Sequence, residues 1–239
     1  MAGRGNPTQV PMVQNERLFV MRNGRWQGIY RPVNPDRPFS GVCLAESFAD
    51  EYSKEHPDVS VGIIPCADGG TTLNQWAEGG VLFDNAVNNA RLAQRSSQIV
   101  AVLWHQGEGD CPDHLYRLYE EKFLKIMAAF RRELKLEDIP FLLGGLGDFL
   151  PLRVAEPHYV NFSEINKTLK KIASEHPHTG FVSAEGLTPN GDNLHFNAKS
   201  LLAFGVRYYE EFKKLENTSV FSNVKPIDDD LKRTALELL

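Results

Sequence analysis

A short apolar run followed at once by a cluster of polar side chains is the strongest constraint on how this chain can fold. Residues 98–103 are rich in β-branched side chains and predict a buried parallel strand. The next segment, residues 104–110, reads Trp-His-Gln-Gly-Glu-Gly-Asp. Because open α/β sheets build their sites at the carboxyl ends of parallel strands, we expect these polar residues to line a functional site.

Strands and helices alternate along most of the chain. The apolar patterns predict strands over residues 59–64, 98–104, 140–146 and 179–184, and helices over residues 44–55, 83–95, 113–134, 163–173 and 196–215. Such alternation implies parallel βαβ units with right-handed crossovers. The expected fold class is therefore α/β, as a three-layer α/β/α sandwich with a mainly parallel sheet.

The two ends of the chain differ from this pattern. Residues 1–40 are rich in Gly, Pro, Asn and Arg and predict a long loop with at most one hairpin, turning at Asn23 and Gly24. The tail is polar, but three aspartates at 228–230 precede apolar residues at helical spacing, which predicts a short terminal helix. We expect one α/β domain over residues 1–215 and a C-terminal tail with this amphipathic helix over residues 216–239.

Charge and composition argue against several classes of function. The net charge is −5 and no basic face is clustered, which disfavours a nucleic-acid partner. Three cysteines without a CxxC pair fit neither a disulfide framework nor a zinc site. No apolar run approaches the roughly 20 residues of a membrane span, and the first residues lack the apolar core of a signal peptide. We expect a soluble, cytoplasmic protein with no membrane partner.

A second chemical signal lies late in the chain, where Asp192 precedes His195 by three residues. An aspartate at this distance can orient the imidazole, which can then act as general base toward a hydroxyl nucleophile. His195 could also be a histidine that merely packs at the start of a helix. Its acidic neighbour and the aromatic Phe196 that follows it favour the catalytic interpretation.

Two further loops contain groups that could bind an oxyanion. Gly69 and Gly70 follow the strand predicted at 59–64, and glycine allows the positive φ at which backbone N–H groups point toward an anion. A plain strand-to-helix turn is the structural alternative. Gln106 is a side-chain amide donor at the end of the next strand, where it could supply another hydrogen bond.

Glu108 and Asp110 are two acids that follow the same strand. They could position substrate hydroxyls, assist the histidine, or cap the next helix. Together with His105 and His114 they could also be imagined as metal ligands, but this spacing matches no standard zinc or two-metal pattern. We therefore expect neither a metal nor a cofactor.

Taken together, these three loops resemble the SGNH/GDSL hydrolase superfamily, and within it the branch of sialate O-acetylesterases and family 6 carbohydrate esterases (acetylxylan esterases). That branch has a Gly-Gly turn, a W-x-Q-G-E-x-D segment and a D-x-x-H segment in this order. Here they are residues 69–70, 104–110 and 192–195, and the resemblance runs from residue 1 to about 215. It implies the SGNH hydrolase fold, with a flavodoxin-like sheet, and a serine esterase that removes acetyl groups from carbohydrates.

The resemblance also implies roles for the catalytic residues. His195 would take the proton of a serine nucleophile, and the Gly70 N–H and the Gln106 amide would bind the oxyanion. Either Asp192 or Glu108 would be the acid of the triad, since members of this branch have been assigned both ways.

Three more residues are candidates for contact with the sugar or for shaping the pocket. They are Trp76, Trp104 and Asp110. The implied substrate is an acetylated sugar such as sialic acid or xylan, or another small acetyl ester.

The nucleophilic serine of the family has no counterpart in this sequence. In the family it lies in a G-Q-S-N block that commonly continues as M-A-G-R-G, and residues 1–5 read Met-Ala-Gly-Arg-Gly. The resemblance places that serine two residues upstream of Met1, at the end of a first strand that is central in the family's sheet. Ser47 is the alternative inside the chain, but it lies in a predicted helix rather than on a strand-to-helix elbow. A catalytically inactive, carbohydrate-binding or scaffold relative on the same fold is the competing function.

Overall fold

Strands and helices alternate through residues 2–216, which are the residues that the computed structural model describes. The strands are β1 (Leu18–Arg22), β2 (Arg25–Gly28), β3 (Val61–Ile63), β4 (Val102–Trp104), β5 (Phe141–Gly144) and β6 (Thr179–Val182). The helices are α1 (Ala45–Glu55), α2 (Val81–Gln94), α3 (Asp113–Tyr116), α4 (Tyr119–Leu134), α5 (Phe162–Glu175) and α6 (Ala198–Glu216). The helix predicted after the aspartates at 228–230 lies outside the described residues.

The predicted hairpin is present near the N-terminus. β1 pairs with β2 in antiparallel register, from Phe19 opposite Gly28 to Arg22 opposite Arg25. The turn residue Asn23 has φ of 49° and the glycine after it has φ of 72°, which is the pattern of a type I′ turn. β1 then pairs in parallel with β3, so the hairpin widens the sheet.

The strands form two separate three-stranded sheets. One has the order β2-β1-β3, and the other, with the order β4-β5-β6, is parallel throughout. The predicted α/β class with a mainly parallel arrangement of strands is thus confirmed. Within residues 2–216, β3 and β4 each lie at the end of their sheet, and Val102 and Leu103 of β4 are only half-buried.

Helices cover the sheets in two groups. α1 packs against α6, where the Phe48 ring meets the rings of Tyr209 and Phe212 edge-on at 5.9 and 5.8 Å. α4 packs against α2 and α5, and its Phe123 ring lies 5.2 Å from the Trp104 ring of β4. Parallel strands need such cover on both faces, which explains their nearly continuous apolar sequences. No helix within residues 2–216 is long and apolar enough to span a bilayer.

Several predicted boundaries differ from the structure. The helix predicted over 113–134 is broken into α3 and α4, and Asp113 is the first helical residue, following Pro112. The strand predicted over 98–104 is shortened to β4, because its partner β5 begins only after Pro140, which has no N–H to extend the ladder. The last helix begins at Ala198, so His195 lies in the turn before it rather than on its first turn.

Candidate active site

Asp192 and His195 form a hydrogen-bonded pair in the turn before α6. His195 Nδ1 lies 2.6 Å from Asp192 Oδ2, and Asp192 Oδ1 accepts hydrogen bonds of 2.9 Å from the N–H groups of Leu194 and His195. Burial acts to raise the pKa of Asp192, but the hydrogen bonds from His195 and Leu194 outweigh it and lower the pKa. An ionised Asp192 holds the proton on Nδ1 and leaves Nε2 as the basic nitrogen.

The turn that contains this pair is held by hydrogen bonds to its backbone. The Asn190 N–H donates to the His195 carbonyl at 2.6 Å, and Asn193 has a left-handed φ of 52°. From outside, Arg153 donates to the Asp192 carbonyl at 2.8 Å while it pairs with Glu156. The imidazole is therefore presented from a braced turn, although its side chain is 39% exposed.

The glycine pair forms a tight turn after β3. Gly70 is exposed, has φ of 78°, and a Cβ built on it would meet no atom within 4 Å. Gly69 is different, because its Cβ would lie 2.3 Å from a guanidinium nitrogen of Arg4. The Gly69 N–H donates to Asp36 Oδ2 at 2.9 Å. The turn therefore has the left-handed backbone at Gly70 that suits an anion-binding loop.

The Gln106 side chain joins the loop after β4 to the glycine turn. It is 9% exposed, and its amide donates to the Thr71 carbonyl at 2.9 Å and to Asp110 Oδ2 at 2.6 Å. Both amide hydrogens are thus engaged in this structure. The role of Gln106 as an oxyanion donor stays a prediction, and it requires the amide to exchange one of these acceptors for substrate.

Asp110 lies beneath the site. Its carboxylate is fully buried and also accepts from the Leu73 N–H at 2.9 Å. Burial raises its pKa, against the opposing effect of the hydrogen bonds from Gln106 and Leu73. In this position Asp110 ties two loops together, and its predicted contact with the sugar stays a prediction.

Glu108 lies near another histidine. Its Oε1 atom is 3.9 Å from Nδ1 of the buried His105, whose Nε2 lies 3.2 Å from the Gly145 carbonyl. The structure thus brings Asp192, and not Glu108, to the His195 imidazole. Across the described part of the chain, no three His, Cys, Asp or Glu side chains converge to hold a metal ion.

The buried His105 gives the stability of the protein a defined pH dependence. Burial lowers the pKa of His105 from 6.5 to about 4. Between these values the unfolded chain binds a proton that the folded protein does not, so the free energy of unfolding falls as the pH drops from about 6.5 toward 4. The contribution of His105 to this loss between pH 7 and pH 4.5 is about 2 to 3 kcal/mol, since each unit of pKa shift corresponds to about 1.4 kcal/mol.

Urea unfolding at the two pH values measures this loss. His105→Gln should remove it, whereas His114→Gln, at an exposed position, should leave it unchanged. Equal pH dependence in wild type and His105→Gln would contradict the assignment.

The two tryptophans predicted to contact sugar are part of the core. Trp76 and Trp104 are 6% and 7% exposed, and their rings meet edge-on at 5.6 Å. Trp76 Nε1 donates to Thr71 Oγ1 at 3.0 Å, directly beneath the glycine turn. This position supports their predicted role in shaping the pocket. Because both side chains are buried, the structure gives no support for their direct contact with sugar.

Ser47, the alternative nucleophile within the chain, is a buried serine whose hydroxyl bonds to backbone carbonyls. Ser47 is 8% exposed, and its hydroxyl donates to the carbonyls of Leu44 and Leu202, the latter at 2.7 Å. This bond ties α1 to α6, as expected for a structural serine. No serine hydroxyl of residues 2–216 is hydrogen-bonded to the His195 imidazole.

Sequence reasoning missed three polar residues that surround the site. Arg4, Asn34 and Asp36 lie in the segment predicted as plain loop, yet they hold the residues before and at the glycine turn. An Arg, an Asn and an Asp in a segment rich in Gly and Pro carry no periodicity that would mark them as buried. Their low exposure, 7% for the Arg4 side chain and 5% for that of Asp36, is visible only in the structure.

The sequence is similar to known carbohydrate esterases. A family model described as SASA, a carbohydrate esterase and sialic acid-specific acetylesterase, matches residues 1–214. A probable carbohydrate esterase of Arabidopsis thaliana is 26% identical over 192 residues, which are 76% of this chain and 68% of that protein.

The fold is similar to solved structures. An Arabidopsis thaliana protein superposes with a TM-score of 0.77 and 22% identity, over 90% of this chain and 93% of that one. A carbohydrate acetylesterase from Xanthomonas citri superposes with a TM-score of 0.63 and 18% identity, over 89% of this chain and 52% of that one. At these identities the two structures show the shared fold.

Proposed function

Because this chain belongs to the SASA family of carbohydrate esterases, we propose that it acts as a serine esterase that removes O-acetyl groups from a sugar. The observation that carries the proposal is the Asp192–His195 pair, 2.6 Å apart. In this pair Asp192 orients the His195 imidazole, which is the base. The same turn is joined to Arg4 through Asn190, and the Arg4 guanidinium lies against Gly69 of the glycine turn. The assignment to family 6 carbohydrate esterases belongs to the same proposal, as does a cytoplasmic location.

In the proposed mechanism a serine hydroxyl attacks the acetyl carbonyl while His195 Nε2 takes its proton. The Gly70 N–H and the Gln106 amide bind the oxygen that becomes negative. His195 then gives the proton to the departing sugar oxygen, which leaves as a hydroxyl. Water next attacks the acetyl-serine ester with His195 as base, and acetate leaves as the serine hydroxyl regains its proton. Asp192 remains ionised throughout and stabilises the imidazolium.

The serine in this proposal is the one that the resemblance to the SGNH hydrolases places upstream of Met1. The contacts of Ala2 and Arg4 support this placement. The Ala2 carbonyl is 3.4 Å from Asn34 Nδ2, and the Arg4 carbonyl accepts a 2.8 Å hydrogen bond from Asn190 of the turn before α6. Ala2 and Arg4 therefore contact the segment that holds the glycine turn and the turn that contains His195.

Unpartnered polar atoms after β4 also support an additional segment. Gln106 Oε1 and Asp110 Oδ1 are buried and have no hydrogen-bond partner within residues 2–216. Leaving such groups unpaired costs free energy, so native proteins rarely do it. A strand along the open edge of β4 would bring backbone N–H and C=O groups to this region.

Acetyl release tests the substrate class. The protein extended by its serine-containing segment should release acetate from O-acetylated sialic acid or, as the second candidate, from acetylated xylan. A folded, extended protein that binds these sugars without releasing acetate would overturn the esterase and support a carbohydrate-binding relative. Release from p-nitrophenyl acetate alone would support the esterase chemistry and contradict a carbohydrate substrate.

Gln106→Ala should lower kcat about 100-fold in the extended protein, the usual loss for one oxyanion donor. KM should change little, because the bond strengthens only as the carbonyl oxygen becomes negative. Steady-state kinetics with p-nitrophenyl acetate measures both. Asn88→Ala, at an exposed position of α2, is the matched control for removal of an amide. A raised KM with unchanged kcat would mean that Gln106 binds the ground state.

A further inference from the structure

We propose that the buried ion pair of Arg4 and Asp36 positions the glycine turn relative to the turn that contains Asp192 and His195. Its catalytic consequence rests on the proposed function, whereas the physical coupling of the two turns does not. Both residues would be positioning residues, because neither is proposed to touch the reacting atoms.

The pair is bidentate and shielded from water. Arg4 donates to Asp36 Oδ1 at 2.8 Å and to Oδ2 at 2.6 Å, and the two side chains are only 7% and 5% exposed. Burial acts to raise the pKa of Asp36, but hydrogen bonds from Arg4, Gly69 and Ser40 lower it to about 2. The pair is therefore charged across the working pH range, and its planar fork geometry fixes the guanidinium in one orientation.

One side of the pair holds the glycine turn. Asp36 Oδ2 accepts the Gly69 N–H at 2.9 Å, and an Arg4 nitrogen fills the space that a side chain at position 69 would occupy. The neighbouring Asn34 amide binds both the N–H and the carbonyl of Ala67, at 3.1 and 2.9 Å. The backbone on both sides of residue 68 is thus tied to the segment 34–36.

The other side of the pair leads to the catalytic histidine. The Arg4 carbonyl accepts from Asn190 Nδ2 at 2.8 Å, and the Asn190 N–H donates to the His195 carbonyl at 2.6 Å. Hydrogen bonds, together with the covalent structure of Asn190 and Arg4, thus connect His195 through Arg4 and Asp36 to Gly69. Because catalysis is sensitive to displacements of about 1 Å, the ion pair would set the distance between base and oxyanion donor.

The chain offers a matched control on the same loop. Arg37 and Asp68 form a similar pair at 2.8 Å, but their side chains are 41% and 29% exposed. Exposed pairs of this kind contribute little to stability because solvent screens them. Arg37→Gln removes contacts to the Asp36 and Gly69 carbonyls, at 2.8 and 3.3 Å, but it leaves in place both bonds from Arg4 to the Asp36 carboxylate and the bond from Asn190 to Arg4.

Hydrogen exchange tests the coupling in the 239-residue chain, without any activity. In Asp36→Asn, peptides that cover residues 66–72 should exchange about 10- to 100-fold faster, as expected when a hydrogen bond to a charged group is lost. Peptides that cover 190–197 should also exchange faster. Arg37→Gln loses contacts to Asp68 and Gly69 on the exposed side of the turn, so it can alter 66–72 but should leave 190–197 unchanged. Unchanged exchange at 190–197 in Asp36→Asn, or an equal change there in Arg37→Gln, would overturn the coupling. If Asp36→Asn does not fold, Arg4→Lys serves, since it keeps the charge but cannot bridge both oxygens.

Kinetics of the serine-containing protein tests the catalytic consequence. Asp36→Asn and Arg4→Lys should lower kcat about 10- to 100-fold with KM nearly unchanged, as for a misplaced oxyanion donor. Binding of a boronic acid analogue of the transition state should weaken by the same factor. Unchanged kcat in both variants, or a rise in KM alone, would overturn the positioning role. An inactive wild type would instead refute the esterase and leave the exchange result standing.

Discussion

Replacing His195 by alanine is expected to lower kcat at least about 1,000-fold in the serine-containing protein, since loss of one member of a catalytic triad costs that much or more. The reason is structural, because His195 has an ionised carboxylate 2.6 Å from Nδ1 and thus presents Nε2 as the base. Steady-state hydrolysis of p-nitrophenyl acetate measures the loss. KM should change far less than kcat, because the imidazole accepts the serine proton in the transition state and does not bind the ester in the ground state.

A second histidine provides the control for this experiment. His114 is exposed, so His114→Ala should retain turnover close to wild type. Near-normal turnover of His195→Ala would refute the role of His195 as base. Comparing Asp192→Ala with Glu108→Ala in the same assay identifies the acid of the triad, and the 2.6 Å contact favours Asp192.

Joining a strand that ends in G-Q-S-N to Met1 is expected to raise esterase turnover at least about 1,000-fold over that of the 239-residue chain, because the proposed mechanism leaves that chain only water as the attacking group. A fluorophosphonate serine probe should label the extended protein stoichiometrically and the 239-residue chain not at all. Stoichiometric labelling of the 239-residue chain, mapped to a serine such as Ser47, would contradict the proposal.

The same extension separates chemistry from folding. An extension with alanine in place of its serine should be inactive, yet it should raise the melting temperature as much as the serine form does. A strand that buries several apolar side chains would add several kcal/mol, or on the order of 10 °C for a domain of this size. A high, cooperative melt of the 239-residue chain that the extension leaves unchanged would show that the edges of β3 and β4 need no such partner.

Local patterns predicted the elements of this fold better than their assembly. The Asn23-Gly24 turn and the apolar runs of β5 and β6 depend on neighbours in sequence, and the structure has them close to the predicted positions. The division into two sheets depends instead on which strand lies beside β3 and β4, and periodicity carries no information about that. The break before Tyr119 was missed for a related reason, because residues 113–134 have helical spacing throughout.

The candidate site was predictable where chemistry depends on residues close in sequence. Asp192 and His195 are three residues apart, so their contact follows from local geometry. The roles of Gln106 and of the Arg4–Asp36 pair depend on partners 32 to 35 residues away, at Thr71, Asp36 and Gly69. Such partners become neighbours only through tertiary packing, and the amide of Gln106 gives no sign in the sequence of the acceptors it will meet.

The two adjacent glycines of the site have different tolerance for redesign. Position 70 has a left-handed backbone and open space around it, so asparagine, which tolerates that backbone, could introduce a new amide beside the proposed oxyanion donor at small cost. Position 69 is closed by the Arg4 guanidinium, so even alanine there would displace a buried charge. Engineering of new acyl specificity can therefore begin at residue 70 alone, whereas any change at residue 69 has to be made together with Arg4.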